Sequence, residues 1–261
     1  MFFIIWGGGG LSLAFRSIQT IISFLTILPG PRSHSNDLNS IANAMHYFPL
    51  AGALIGAIVG GFACLISLYL QPFIVGFLVT TMLALVTGLH HTDALADFAD
   101  GLMKKGEKIT KRNAMRDPAL GSAGATAIIL YVAGMIIALS GFHQGIKLFS
   151  SIVAAEVIAK FVMVMQAHRG HSAWEGFSSP FTAAMKDKRK IIIATIISIV
   201  VIWFSGTSYF GLIALSVSLA FAALIQYLSN KAFGGISGDV MGASNEITRL
   251  CCLMILSQIM I

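Results

Sequence analysis

The sequence predicts an all-α fold, a polytopic membrane bundle of about seven helices (six to eight), from three observations. First, 56% of the 261 residues are hydrophobic and only 11% are charged, with a mean hydropathy of +0.84. A soluble domain carries about 25% charged residues. Second, apolar runs close to the ~20 residues that a spanning helix needs recur along the chain. Third, the stretches between them alternate between long polar loops and short turns.

The runs lie near 48–70, 73–92, 121–142, 147–167, 189–206 and 209–229. An amino-terminal run, 11–28, contains Arg16 and Gln19; it reads as a first span or as an amphipathic helix in the interface, with the span favoured. The run 247–261 is short for a crossing. No period-two alternation and no internal repeat is visible. Met1-Phe-Phe-Ile-Ile-Trp6 lacks the basic start of a cleavable signal peptide. Cys64, Cys251 and Cys252 show no metal-ligand spacing and read as apolar filler.

Loop charge sets the topology. The long loops are 29–47, 101–120, 168–188 and 230–246; the short ones lie around Gln71-Pro72, 143–146 and 206–208. Of the 17 Lys and Arg, all but Arg16, Lys147, Lys160 and Arg249 fall in or beside the long set, from Arg32 to Lys231, and only Lys147 borders the short set. The positive-inside rule therefore places the long loops in the cytoplasm of a multi-pass cell-membrane protein. Asp37 and nearly all other acidic residues join them; Glu156, mid-span, is the exception. Chemistry is expected on that one face. The net charge of +6 is dispersed over several loops and is no nucleic-acid footprint.

The acidic residues that stand out are Asp93, Asp97 and Asp100, at the end of an uncharged run from Pro72 to Val86. On a helix they share one stripe within roughly 60° of arc. Three carboxylates so placed repel one another, and a hard divalent cation such as Mg²⁺ relieves that repulsion while recruiting substrate phosphate. His91 just before them can bind metal, orient a carboxylate or contact phosphate. Six basic residues follow directly, among them Lys111, Arg112 and Arg116, suited to a polyphosphate but also ordinary topogenic charge. Arg116-Asp117-Pro118 leads into Gly121-Ser-Ala-Gly124, whose glycines allow close backbone approach. Glu156 and Lys160 form an i, i+4 pair inside a span, where ionisable groups are costly. In the last long loop Asp239 follows three glycines and reads as a further metal ligand, a general base or a helix cap. Glu246 lies seven residues on, and Gly242 and Ala243 between them would let this helix pack closely on the Asp93 helix.

These motifs resemble a known family. His91-Thr-Asp-Ala-Leu-Ala-Asp-Phe-Ala-Asp-Gly101 is similar to the H-x-D-G-L-A-D-x-x-D-G signature of the cobalamin synthases, the adenosylcobinamide-GDP ribazoletransferases. Met115-Arg-Asp-Pro-Ala-Leu-Gly-Ser-Ala-Gly124 resembles their M-K-D-x-x-x-G-x-x-G element, and Gly234-Gly-Ile-Ser-Gly-Asp-Val-Met-Gly-Ala-Ser-Asn-Glu246 their G-G-x-[ST]-G-D-x-x-G-A-x-x-E element. Phe24-Leu-Thr-Ile-Leu-Pro29 and Phe48-Pro-Leu-Ala-Gly52 match in order, and Glu156 to Lys160 and Ser172-Ala-Trp-Glu-Gly176 look most like the archaeal branch. The likeness spans roughly 24 to 249. The chain departs from it at Ala94, usually glycine, and at Leu89-His90, where many members have Gly-Leu.

The resemblance implies one integral-membrane transferase domain over 1–261 that joins adenosylcobinamide-GDP to α-ribazole or its 5′-phosphate. The products would be adenosylcobalamin, or its phosphate, and GMP. It implies Mg²⁺ held by Asp93, Asp97, Asp100 and Asp239. Asp239, Asp117 and His91 would be catalytic, with the ribazole 5′-hydroxyl attacking. Lys111, Arg112, Arg116, Lys160, Glu156 and Glu246 would bind the substrate or its phosphates. A homo-oligomer stays open. Two rivals stand beside this reading: a CDP-alcohol-type phosphotransferase, which also sets several aspartates at a membrane-facing metal site, and an ion-coupled transporter built around Glu156 and Lys160.

Overall fold

The computed structural model describes residues 8–29 and 38–260, with side chains from residue 16 onward. Arg32, Asp37 and the amino-terminal hexapeptide lie outside the described residues. Twelve α-helices are described: α1 (Gly8–Leu25), α2 (Leu38–Ala44), α3 (Phe48–Ile66), α4 (Pro72–Val86), α5 (His90–Met103), α6 (Lys108–Met115), α7 (Ser122–Ser140), α8 (Gly145–Arg169), α9 (Ser179–Ala184), α10 (Lys188–Ile202), α11 (Ser208–Phe233) and α12 (Gly238–Ile259). Among the described residues the only β-type pairing is an isolated bridge between Ser172 and Ile236. The all-α membrane bundle is as expected.

The centre is α8, whose residues from Leu148 to Ala167 are almost all buried. Its closest neighbour is α3. Gly52, Gly56 and Gly60 recur every fourth residue of α3, and a Cβ on them would lie 2.6 Å from the Glu156 carbonyl oxygen, 2.7 Å from the Val153 Cα and 3.0 Å from the Phe149 ring. With no water to expel between helices in lipid, close backbone approach through small residues supplies the packing energy. This glycine ladder is plain in the sequence, yet it escapes a reading based on charge.

The count of about seven spans is not reached by length and apolarity alone. Four stretches qualify, or five if the bent pair α4–α5 is one crossing. Two physical reasons account for the difference. One qualifying stretch, Lys188–Phe233, holds two helices, α10 and α11, joined by a π-helical turn that breaks at Gly206 (φ 98°) and Ser208 (φ 47°). The others fall short through polarity. Helix α1 carries Arg16 and Gln19 and is not among the qualifying helices; α12 is 22 residues long but carries Asp239, Asn245, Glu246 and Arg249. The run 247–261, read as too short to cross, is thus the greater part of a full-length helix.

The break that positions the candidate site lies between α4 and α5. These helices meet at 92°, with Gly88 (φ 64°) and Leu89 (φ 62°) in the left-handed region. Helix α5 therefore runs nearly perpendicular to α4 and carries its aspartates with it.

Candidate functional site

The long-loop ends gather around one cavity of about 1170 Å³. Its lining comes from the end of α1, from α2, from α5, from Met115-Arg116, from the segment before α9, and from the start of α12. The short turns at 143–146 and 206–208 instead border a hollow of about 520 Å³ lined by Lys147, Gly206, Tyr209 and Met260, which shares no residue with the large cavity.

One wall of the large cavity is aromatic. The Phe24 ring lies 6.1 Å from Phe177 and 6.0 Å from Phe181, and Phe177 lies 5.5 Å from Phe181, with Phe48 behind them. The lining also includes the polar residues His91, Asp97, Arg116 and Asp239. An apolar, aromatic concavity with a few convergent polar groups is the usual form of a small-molecule site.

The acidic side is assembled by small residues. Helix α12 lies on α5 with Gly242 against Ala94, where a Cβ on Gly242 would come within 2.5 Å of the Ala94 Cβ. The close packing expected from Gly242 is present, and it brings Asp239 to the Asp97 stripe. Burial, with Asp93, Asp239 and Asp100 nearby, pushes the Asp97 carboxyl up to about 6. Asp239 is also raised, mainly by burial; its Ser237 hydroxyl contact and the charge of Arg116 pull the other way. The helix cap is Ser237, whose Oγ accepts from the Val240 N–H at 3.3 Å; Asp239 is the acidic residue of the first turn.

The glycine-rich turn before α12 is held by backbone pairing. Ala173 N–H donates to the Ile236 carbonyl and Ile236 N–H to the His171 carbonyl, both at 2.9 Å. Gly235 sits so close to Ala173 that a Cβ would lie 2.7 Å from its Cα.

The four residues read as metal ligands do not share one environment. Asp97 and Asp239 line the cavity; Asp93 is exposed on the preceding turn of α5. Asp100 turns to α7: its oxygens accept the Gly121 N–H at 2.8 Å and the Gly124 N–H at 2.9 Å, at the positive end of that helix. A Cβ on either glycine would collide with the carboxylate, at 2.3 and 2.4 Å. Among the described residues no three His, Cys, Asp or Glu side chains are already drawn together as a metal-ligand set.

The expected cations divide as well. Arg116 lines the cavity. Arg112 stacks over Trp174, 4.3 Å from the ring centroid, and Trp174 is itself a cavity residue. Lys111 spends donors on the Leu102 carbonyl (2.8 Å) and the Lys104 carbonyl, closing the last turn of α5. Asp117 is exposed and accepts the Ala119 N–H at 2.9 Å in a local turn; it does not line the cavity.

Glu156, Lys160 and Glu246 do not line it either. They form a buried network with Arg249, a residue the sequence reading passed over inside an apolar run. Arg249 Nε donates to Glu156 Oε1, Nη2 to Glu156 Oε2 at 3.2 Å, and Nη1 to both Glu246 Oε2 and Tyr131 Oη. Lys160 Nζ donates to Asn245 Oδ1 at 2.7 Å and stands 4.0 Å from Glu156. Two carboxylates and two cations thus balance within α7, α8 and α12. The i, i+4 pair is real, but the stronger partner of Glu156 is Arg249. The available signal was Arg249 itself, an intramembrane cation one turn from Glu246.

Residues 17–257 match the family model described as cobalamin-5-phosphate synthase. The adenosylcobinamide-GDP ribazoletransferase of Pyrococcus abyssi is 31% identical over 243 residues, covering 92% of this chain and 97% of that protein. Its namesake from Methanococcoides burtonii is 29% identical, covering 92% and 91%, and that of Shigella dysenteriae 28% identical, covering 90% and 97%. No solved structure matches significantly. With almost its full length matched by the family model, the chain belongs to the cobalamin-5-phosphate synthase family.

Proposed function

We propose that the chain is one membrane transferase domain that joins adenosylcobinamide-GDP to α-ribazole or its 5′-phosphate on the cytoplasmic face, releasing GMP. Membership of the family supports the last assembly step of cobalamin. The observation that carries the site assignment is the meeting of Asp97, Asp239 and Arg116 in one aromatic-walled cavity at the long-loop ends. The cytoplasmic orientation rests on the Lys and Arg of those loops.

The donor chemistry fits Mg²⁺, which takes carboxylate oxygen together with substrate phosphate. Asp97 and Asp93 would hold it, leaving Asp239 unligated, and the like charge that adds to burial in lifting the Asp97 carboxyl is the repulsion such a cation removes. Asp100 would act chiefly as the anchor of α7, since its oxygens are engaged by backbone N–H groups. When bound, the ion would supply charge neutralisation to the pyrophosphate.

The remaining work falls to the chain. The aromatic wall offers stacking surface for planar rings. Arg116 faces the oxygens on which charge grows as GMP leaves. The attacking oxygen bonds to the phosphorus nearer the cobinamide, the bond from that phosphorus to the bridging oxygen breaks, and the hydroxyl proton passes to a carboxylate. Asp239, in the cavity, suits that task better than Asp117, which lies off it. The 5′-hydroxyl read as nucleophile from the sequence cannot serve both acceptors, because in one it carries the phosphate. The nucleophile common to both is a secondary ribose hydroxyl.

The test is GMP release from adenosylcobinamide-GDP by purified protein in detergent, with each acceptor, with and without Mg²⁺. Release that needs both acceptor and Mg²⁺ is expected. No release with either acceptor would sink the reading.

A further inference from the structure

Phe177 stands in the segment between α8 and α9, not on a spanning helix, yet its ring is 49% exposed. It lines the cavity and forms the open face of the aromatic cluster, with Phe24 and Phe181 behind it. A clustered aromatic surface that opens on a cavity marks a binding surface. Its surroundings offer shape and few donors. The cavity-lining hydroxyls on and beside α1 donate to backbone carbonyls one turn back: Thr20 to Arg16 at 3.0 Å, Ser23 to Thr20 at 3.0 Å and Thr26 to Ile22 at 2.6 Å. Ser178, next to Phe177, donates to the Ile236 carbonyl at 3.2 Å. The same wall also reaches the acids. A Cβ on Gly238 would lie 3.0 Å from Cδ1 of Phe177, and Asp239 is the next residue.

We infer that the wall of Phe24, Phe177 and Phe181 is the subsite for the acceptor's fused aromatic base, with Phe177 setting the choice of base; this rests on the proposed transferase reading. The reaction brings two flat bases to the cavity. Guanine presents O6 and N7 as acceptors, and the hydroxyls beside this wall have already committed their protons. Burying such groups unpaired is costly. The base of α-ribazole presents two methyl groups and a single free ring nitrogen, so it loses little against apolar rings. The corrin, rimmed by amides, meets the same objection as guanine. Position points the same way. The acceptor carries its ribose directly on the base, so a base against Phe177 brings the ribose hydroxyls toward Asp239, the carboxylate proposed to take the proton. Guanine instead travels with the leaving phosphate, whose charge Arg116 answers.

The test varies protein and ligand together. Equilibrium binding to the full chain in detergent is measured calorimetrically for α-ribazole, for the α-riboside of adenine, and for the two halves of the donor, GMP and adenosylcobinamide phosphate. The proteins are wild type, Phe177→Leu and Phe177→Tyr. Wild type should bind α-ribazole roughly tenfold more tightly than the adenine riboside, the scale of one buried polar group left unpaired. Phe177→Leu should weaken α-ribazole about three- to tenfold, the scale of one aromatic contact, with both donor halves unchanged. Phe177→Tyr, which keeps the ring, should recover most of that loss. Unchanged α-ribazole binding in Phe177→Leu, or weakening of GMP or adenosylcobinamide phosphate as large as that of α-ribazole, would overturn the inference. If a variant fails to fold, the two ribosides on wild type still decide: equal affinity for both overturns the assignment. Failure of the functional reading is separate, because wild type would then release no GMP with either acceptor whatever the binding results.

Discussion

The Cβ of Ala94 fills the space that a Cβ on Gly242 would need, the two positions lying 2.5 Å apart. One methyl group therefore fits between α5 and α12, and this chain places it on α5, where its relatives usually have glycine. Gly242→Ala should wedge the helices apart and move Asp239 away from Asp97. Overpacking of this kind costs about 1–3 kcal/mol. We expect a lower unfolding temperature in detergent and at least tenfold less GMP release. The pair Ala94→Gly with Gly242→Ala moves the methyl to the other helix and should recover most of both. A double variant no better than Gly242→Ala alone would show that the contact does not govern the site.

This contact also shows what could be read from the chain and what could not. The closeness of the Asp239 helix to the Asp93 helix was legible, because small residues and acidic residues shared a face. The bundle and its polar end were legible from apolar runs and loop charge. The separate fates of the four aspartates were not. Spacing puts Asp97 and Asp100 on one stripe, but Asp100 reaches the amino terminus of α7 across a gap of 21 residues, a tertiary contact without local signature. Arg249 was missed because hydropathy averages one cation away, and its partners Glu156 and Tyr131 stand 93 and 118 residues off.

The two neighbouring aspartates should respond differently to the same substitution. In Asp100→Asn, one of the two oxygens that accept Gly121 and Gly124 N–H becomes an amide donor facing another donor. Losing a charged helix-terminal acceptor costs about 0.5–2 kcal/mol. Asp100→Asn should lower the unfolding temperature. Asp97→Asn removes a half-buried carboxylate crowded by like charges, so stability should hold or rise while Mg²⁺-dependent GMP release is lost. Near-normal turnover of Asp97→Asn would remove it from the proposed ligand set. Equal destabilisation by the two would dissolve the distinction between anchor and ligand.

Arg249 should be the most sensitive of the buried ionic residues. Arg249→Met strands Glu156 and Glu246, each about 1% exposed, with Lys160 4.0 Å from the first. Breaking a buried pair from one side costs roughly 3–5 kcal/mol. Thermal unfolding should show a large loss, or the variant should not accumulate. Adding Glu246→Gln to Arg249→Met leaves Glu156 opposite Lys160 with no net charge and should be milder than Arg249→Met alone. A double variant worse than the single would mean that the network contributes more than charge balance.

Leu89 offers the reverse case, a position where the chain departs from its relatives at a cost. Its φ of 62° sets a side-chain-bearing residue in the left-handed region, at the 92° bend between α4 and α5. Left-handed geometry costs an L-residue about 1–2 kcal/mol, and glycine escapes it. The Leu89 side chain is 53% exposed, so its removal forfeits little packing. Against this stands the larger conformational freedom of glycine in the unfolded chain, worth up to about 1 kcal/mol. The net expectation for Leu89→Gly is a gain of a few tenths to about 1 kcal/mol, read as a small rise in unfolding temperature with GMP release intact. Leu89→Ala separates the contributions: it loses the same side-chain contacts but keeps the backbone cost, so it should fall below Leu89→Gly. If alanine instead equals glycine here, the bend is not strained at Leu89, and the glycine usual in the family must serve close packing in place of backbone freedom.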